Sequence, residues 1–159
     1  MIKIIQTDLS QTNHQQALIT ALNSYALDPM GGAAPLSDYV QQNLVNKLKQ
    51  RSDYFGWLVF DDDKVIGLLN AFEGFSTFYA KPLLNIHDIA IDKNYRGQGL
   101  SKQLLQAAEK HCREQDYCKL TLEVLRENGI AKNLYESFGF RPYQLTVEGG
   151  AAEFWQKML

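Results

Sequence analysis

Asp88-Ile89-Ala90-Ile91-Asp92-Lys93-Asn94-Tyr95-Arg96-Gly97-Gln98-Gly99-Leu100-Ser101-Lys102-Gln103-Leu104-Leu105 joins a strand to a helix through a glycine-bearing turn. Residues 83–91 carry apolar side chains on both faces, the pattern of a central strand covered on each side. Residues 92–94 read as a turn. A helix is predicted to start near Gly99 or Leu100, with Leu100, Leu104, Ala107, Ala108 and His111 on one face. Amides at such a helix start lack intrahelical acceptors and can cradle a phosphate or pyrophosphate. Gly97 and Gly99 let the backbone approach an anion closely, and Arg96 adds a charged, multidentate donor.

Two nucleotide motifs do not fit this turn. Walker A needs G-x-x-x-x-G-K-[ST], and Lys102 does not supply it. The dinucleotide fingerprint needs a third glycine where Lys102 stands, and no βαβ unit opens the chain.

Working outward, residues 118–125 read as the next strand, with Leu120, Leu122 and Val124 alternating against Thr121 and Glu123. Asn128 is predicted to cap a short helix whose inward residues are Ile130, Ala131, Leu134, Tyr135 and Phe138, and Gly139 to stop it. Residues 140–147 and 153–159 are predicted as final strands. Toward the amino end, residues 3–7 form a first strand. Thr12 and Gln15 have capping-box spacing before a helix running to about Ala26. His14 reads as a surface residue of that helix. Asp28-Pro29-Met30-Gly31-Gly32 breaks the helix, and Ser37 can cap a second. Residues 55–60 and 64–72 make a hairpin around Asp61-Asp62-Asp63, a solvated tip that lacks the alternation of a calcium loop. The strand–helix–strand order over residues 84–125 favours parallel pairing, and the hairpins require antiparallel pairing. The expected fold is therefore α/β (α+β in some schemes): one domain, residues 1–159, with a mixed central sheet and about four flanking helices.

Composition limits the function. The 159 residues include 16 Lys+Arg and 18 Asp+Glu, a formal charge of −2 with no broad field for nucleic acid or anionic lipid. Cys112 and Cys118 suit a reducing compartment and have no metal-site spacing, so no metal is expected. No signal-peptide pattern or membrane span is read, and the expectation is a cytoplasmic protein without nucleic-acid or membrane partners.

The quoted stretch closely resembles the acetyl-CoA-binding core of the GCN5-related N-acetyltransferase superfamily. The family pattern [Q/R]-x-x-G-x-[G/A] falls on Arg96, Gly99 and Ser101, with serine departing at the last small position. A second stretch, residues 122–140, resembles the family's region of strand, Asn, helix, Leu-Tyr and Gly-Phe, here Asn128, Leu134-Tyr135 and Gly139-Phe140. The two signatures cover about residues 84–143.

The resemblance implies a single-domain acyl-CoA N-acyltransferase fold that binds acetyl-CoA and releases CoA. The cofactor would lie between the two parallel strands. Ile89, Ala90 and Ile91 would bond the pantetheine arm through their backbone. Arg96, Gly97, Gln98, Gly99, Leu100 and Ser101 would hold the pyrophosphate. Asn128 and the following helix, with Lys132, would border the arm and thioester. The implied reaction is direct acetyl transfer to an amine in a ternary complex. By resemblance Tyr135 is the proton donor to the departing thiolate. The run over residues 84–104 also resembles the polyamine or diamine branch, where a glutamate stands at the place matched to His87. His87 is the first choice of base and Glu123 the second. Strand alternation sends Asp88 to the sheet face opposite His87.

For the acceptor, Asp28, Met30 and Asp38 fall on the family's variable acceptor-side region, and Glu73 and Phe75 form a candidate second wall. Phe72 through Tyr79 also suit a homodimer edge. The leading expectation is an N-acetyltransferase acting on a small-molecule amine, such as a polyamine. The alternatives are a peptide or protein-lysine N-acetyltransferase and a non-catalytic acyl-CoA-binding sensor.

Overall fold

The computed structural model describes residues 1–144 and 146–159. They fall into two units, Met1–Leu122 and Glu123–Leu159.

In the first unit, β1 (Ile2–Gln6), β2 (Tyr54–Asp61), β3 (Lys64–Ser76), β4 (Lys81–Ile91) and β5 (Leu120–Leu122) form one sheet in chain order. The first four strands pair antiparallel, and β4 pairs with β5 in parallel. The mixed sheet expected from the sequence is present. The poorly patterned residues 76–82 close a second hairpin, with β3 running on to Ser76 and β4 starting at Lys81. The strand expected over residues 118–125 is shorter, Leu120–Leu122.

Helix α1 (Thr12–Ala26) and α2 (Asp38–Lys49) follow β1, and α3 (Leu100–Glu114) connects β4 to β5. Ala17, Leu18 and Ala21 of α1 and Leu48 of α2 pack with Leu58, Phe60 and Leu68 in one buried cluster. A fully buried leucine such as Leu18 or Leu68 contributes about 1.5–3 kcal/mol. On the other face, Phe55 and Trp57 meet the His111 ring of α3, and Leu104, Leu105 and Ala108 are fully buried.

Local chemistry sets the helix ends, with one correction. Ser37 accepts the Val40 N–H at 3.3 Å, as its position predicts. The expected capping box at Thr12 does not form. Gln11 takes the cap position without a side-chain bond, and the Gln15 amide donates instead to the Leu9 carbonyl at 2.9 Å. His14 is buried rather than exposed, because its Nδ1 accepts the Asp8 N–H at 3.0 Å and its ring lies by Phe60. Among the described residues no helix is long and apolar enough to cross a membrane.

The second unit holds α4 (Gly129–Phe138), the fourth α-helix. Asn128 accepts the Ala131 N–H at 3.2 Å, and Gly139 ends the helix at φ +107°. Ile130, expected inward, is exposed. Among the described residues the strands expected over residues 140–147 and 153–159 are absent. Leu145, within the first of these, lies outside the described residues. Pro142 has no N–H to give a ladder, and Tyr143, Val147, Phe154 and Trp155 are solvent-exposed.

Candidate active site

The turn after β4 is fixed by its own hydrogen bonds. The Asp92 carboxylate accepts the Asn94 N–H at 2.9 Å and its carbonyl accepts the Tyr95 N–H at 2.8 Å, folding residues 93–95 into a 3₁₀ turn. Gly97 and Gly99 then take φ +79° and +76°, in the left-handed region that other residues avoid. A Cβ at either would meet nothing within 4 Å, so the space in front of the turn is open. Helix α3 starts at Leu100, and its 15 residues align a dipole whose positive end faces that space. Leu100 is buried and anchors the helix start, while Gln98 is exposed and Ser101 half-buried.

The Arg96 side chain has partners within the protein. Its Nε donates to the Ile91 carbonyl at 3.2 Å and its Nη2 to the Asp28 carboxylate at 2.6 Å. The Arg96 hydrogen bond, with the Met30 N–H, holds the Asp28 carboxyl below the usual carboxylate range. The loop between α1 and α2 is thus tied to the glycine turn.

Beside the turn, the β4–β5 ladder holds only three pairs: Leu84 with Leu120, Asn85 with Thr121 and Ile86 with Leu122. β4 continues through residues 87–91, where Ile89, Ala90 and Ile91 pair with Leu69, Leu68 and Gly67 of β3.

The ladder between β3 and β4 slips at one place. Ala71 pairs with Ile86 and Asn70 with Asp88, leaving His87 as the extra residue of a β-bulge. The bulge corrects the alternation expected from sequence. The His87 ring packs edge-on against Phe72 with centroids 4.8 Å apart, and Asp88 bonds Asn70, which shares a face with Phe72. His87 and Asp88 therefore lie on the same face, the one covered by α1 and α2. Asn70 is buried; its Nδ2 donates to Asp88 at 3.1 Å and its Oδ1 accepts the Tyr54 hydroxyl at 2.9 Å. Burial raises the Asp88 carboxyl above its ordinary value, with Asn70 and then His87 pulling the other way. Tyr25 of α1 has its phenol raised by burial and by Asp88 and Asp28, so it lies within the field of both carboxylates.

The expected acceptor residues do not converge. Asp28 accompanies Arg96; Met30 follows in an exposed 3₁₀ turn; Asp38 is exposed in the first turn of α2. Glu73 accepts the Tyr117 hydroxyl beyond α3, on the face opposite Phe72 by strand alternation. Phe75 shares Glu73's face and is 64% exposed. Glu123 follows β5 and is exposed. In the second unit Tyr135 is buried, with its ring edge-on to Phe140, and Lys132 is half-buried one turn before it.

Sequence reading missed Asp88, Asn70, Tyr54 and Tyr25 as a group. One signal was available: Asn70 interrupts an apolar strand, and a buried amide needs partners.

Known proteins share both pattern and fold. The acetyltransferase (GNAT) family model matches residues 19–140. Over 57 residues the chain is 44% identical to a putative ribosomal protein bS18-alanine N-acetyltransferase of Bacillus subtilis (strain 168), covering 36% of this chain and 38% of the relative. Over 52 residues it is 42% identical to a probable spermine N(1)-acetyltransferase of Bacillus subtilis subsp. natto (strain BEST195), covering 32% and 34%. The chain spans half or less of the length of the curated relatives it matches. A solved structure of a probable acetyltransferase superposes with a TM-score of 0.80 at 22% identity, covering 98% of this chain and 99% of that one, a likeness of fold.

Proposed function

We infer the activity from the premise that this chain belongs to the acetyltransferase (GNAT) family: residues 1–159 act as one domain that transfers acetyl from acetyl-CoA to the amine of a small cationic molecule. The observation that carries this is the bulge of β4. It sets His87 and the half-buried Asp88 on the face covered by α1 and α2, in a stretch of β4 that continues past the β5 ladder to the glycine turn.

The chain's groups fit the donor. Acetyl-CoA supplies the acyl group as a thioester. The amides of residues 96–101 and the α3 dipole would hold its pyrophosphate. The edge of Ile89, Ala90 and Ile91 would bond the pantetheine arm as an added strand.

An aliphatic ammonium has a pKa of about 10.4 and must lose a proton before it attacks a carbonyl. The His87 imidazole takes that proton, directly or through a water. Asp88, fixed by Asn70, stabilises the imidazolium that results. Backbone amides near the thioester steady the developing oxyanion. The Tyr135 hydroxyl gives a proton to the departing sulfur. Asp88 favours a cationic acceptor, and the resemblance to a protein named a probable spermine N(1)-acetyltransferase supports a polyamine. A peptide amino terminus is the second reading, favoured by the ribosomal-protein relative. A cytoplasmic homodimer completes the proposal.

The test is release of free thiol from acetyl-CoA against spermidine, spermine, putrescine, aminoglycosides, amino acids and amino-terminal peptides. Release with one acceptor class, lowered about 10²-fold or more by His87→Ala, is the expected result. Tight acetyl-CoA binding with no release on any acceptor would favour a sensor over an enzyme.

A further inference from the structure

Arg96 belongs to the glycine turn, yet its guanidinium is held by the neighbouring loop. The Nη2–Asp28 contact of 2.6 Å is a single bond rather than a bidentate pair. The Arg96 side chain is 55% exposed and that of Asp28 21%. Nε is fixed on the Ile91 carbonyl, which keeps the guanidinium plane beside the turn while Nη1 retains its donors. Asp28 in turn organises its own loop. Its carboxylate accepts the Met30 N–H, and its carbonyl accepts the N–H groups of Gly31 and Ala33. The loop between α1 and α2 is thus tethered to the turn through one exchangeable ion pair.

We propose that Arg96 exchanges partners, holding Asp28 in the unliganded protein and the pyrophosphate once the donor is bound, so that loading the donor unties the acceptor-side loop. The proposal rests on the acetyl-CoA reading above. A diphosphate offers two negative charges and several acceptor oxygens to a planar fork that now engages one carboxylate oxygen. The exchange leaves the Asp28 carboxylate unpaired near Tyr25, where a cationic acceptor would meet it. Donor and acceptor sites then share one charge, which couples them reciprocally.

Asp28→Asn tests the exchange, because asparagine keeps the cap on Met30 but releases the guanidinium. Calorimetric affinity for CoA is expected to tighten about two- to five-fold, the scale of an exposed ion pair. Affinity for acetyl-pantetheine, which lacks the pyrophosphate, should stay unchanged. In an Arg96→Met background the tightening should vanish; outright loss of CoA binding by Arg96→Met would equally mark the guanidinium as a pyrophosphate ligand. Hydrogen exchange should show CoA protecting residues 97–101 while residues 30–33 exchange faster. Unchanged or weaker CoA binding by Asp28→Asn overturns the exchange, as does equal tightening in the Arg96→Met background or for acetyl-pantetheine. Protection of residues 30–33 by CoA would do the same. A wild-type protein that fails to bind CoA would instead overturn the acetyltransferase reading itself.

Discussion

The Asn70 amide donates to the Asp88 carboxylate at 3.1 Å across a ladder that has slipped by one residue. The slip changes which face the side chains beyond it take. Without it, Asp88 would face α3 and His87 alone would face α1. With it, two titratable groups share one face, and a buried amide holds the carboxylate still. Burial favours the protonated Asp88, and Asn70 and His87 oppose it.

That balance has a consequence for stability. A carboxyl raised on folding binds its proton more tightly in the native state than in the unfolded chain. Its contribution is fully present below the ordinary Asp pKa and is lost as pH rises through the raised native value. Asp88→Asn removes this dependence. Thermal melts should give similar values for wild type and variant at about pH 3, with the variant gaining progressively as pH climbs toward neutrality. Acetyl transfer by the variant should fall at the same time, since a stabilised site has lost its charge. Parallel melting curves across the range would remove Asp88 as an acid whose carboxyl is raised by desolvation.

Gly56 makes the Tyr54–Asn70 contact possible. It pairs with Asn70 across the ladder, and a Cβ there would fall inside van der Waals distance of the Tyr54 hydroxyl and 2.9 Å from Thr7 Oγ1. Gly56→Ala should push the phenol off Asn70 and cost about 1–3 kcal/mol. Tyr54→Phe alone should cost about 1 kcal/mol for the lost hydrogen bond. Because the two changes act on the same contact, Gly56→Ala should cost less in the Tyr54→Phe background. Urea denaturation of the four proteins checks this; strict additivity would show that Gly56 acts elsewhere.

Gly99 tests the anion cradle. Its φ of +76° disfavours a β-branched side chain, although nothing stands within 4 Å of a Cβ there. Gly99→Val should therefore distort the turn and crowd the open face without touching the core. The strain is about 1–2 kcal/mol, and CoA affinity measured by calorimetry should fall about tenfold or more once lost amide contacts are added. Equal affinity with an unchanged fold would contradict the cradle.

The residues that sequence placed well are those whose local chemistry admits one answer. Two glycines at a strand-to-helix turn, a serine and an asparagine at helix starts, and a glycine after α4 are set by backbone angle or by one unsatisfied amide. The bulge at His87 was hidden because period-two reasoning assumes no inserted residue. His14 was misplaced because residue type suggested surface, whereas its Nδ1 meets the Asp8 amide. The final strands were expected on either side of Gly149-Gly150, but a glycine boundary supplies no partner ladder, and Pro142 within the first has no N–H to give one. Asp28 was legible as an acidic loop residue, but its pairing with Arg96 spans 68 positions and leaves no local trace.

Tyr135→Phe separates a chemical role for the Tyr135 hydroxyl from a structural one. Tyr135 is buried in α4 with its ring against Phe140, and the Phe140 N–H donates to its carbonyl at 2.9 Å. Tyr135→Phe keeps the ring, the helix and those contacts while removing one hydroxyl. If the hydroxyl serves the departing sulfur, CoA affinity and melting temperature should change little, while turnover falls about 10²-fold or more. The loss should shrink for a thioester whose thiol is more acidic, because a better leaving group needs less help from a donor. A purely structural hydroxyl predicts a different pattern: lower stability, modest kinetic loss and no dependence on the leaving group. Single-turnover rates with acetyl-CoA and with an activated aryl thioester of pantetheine separate the two, and equal losses on both donors would assign Tyr135 to packing.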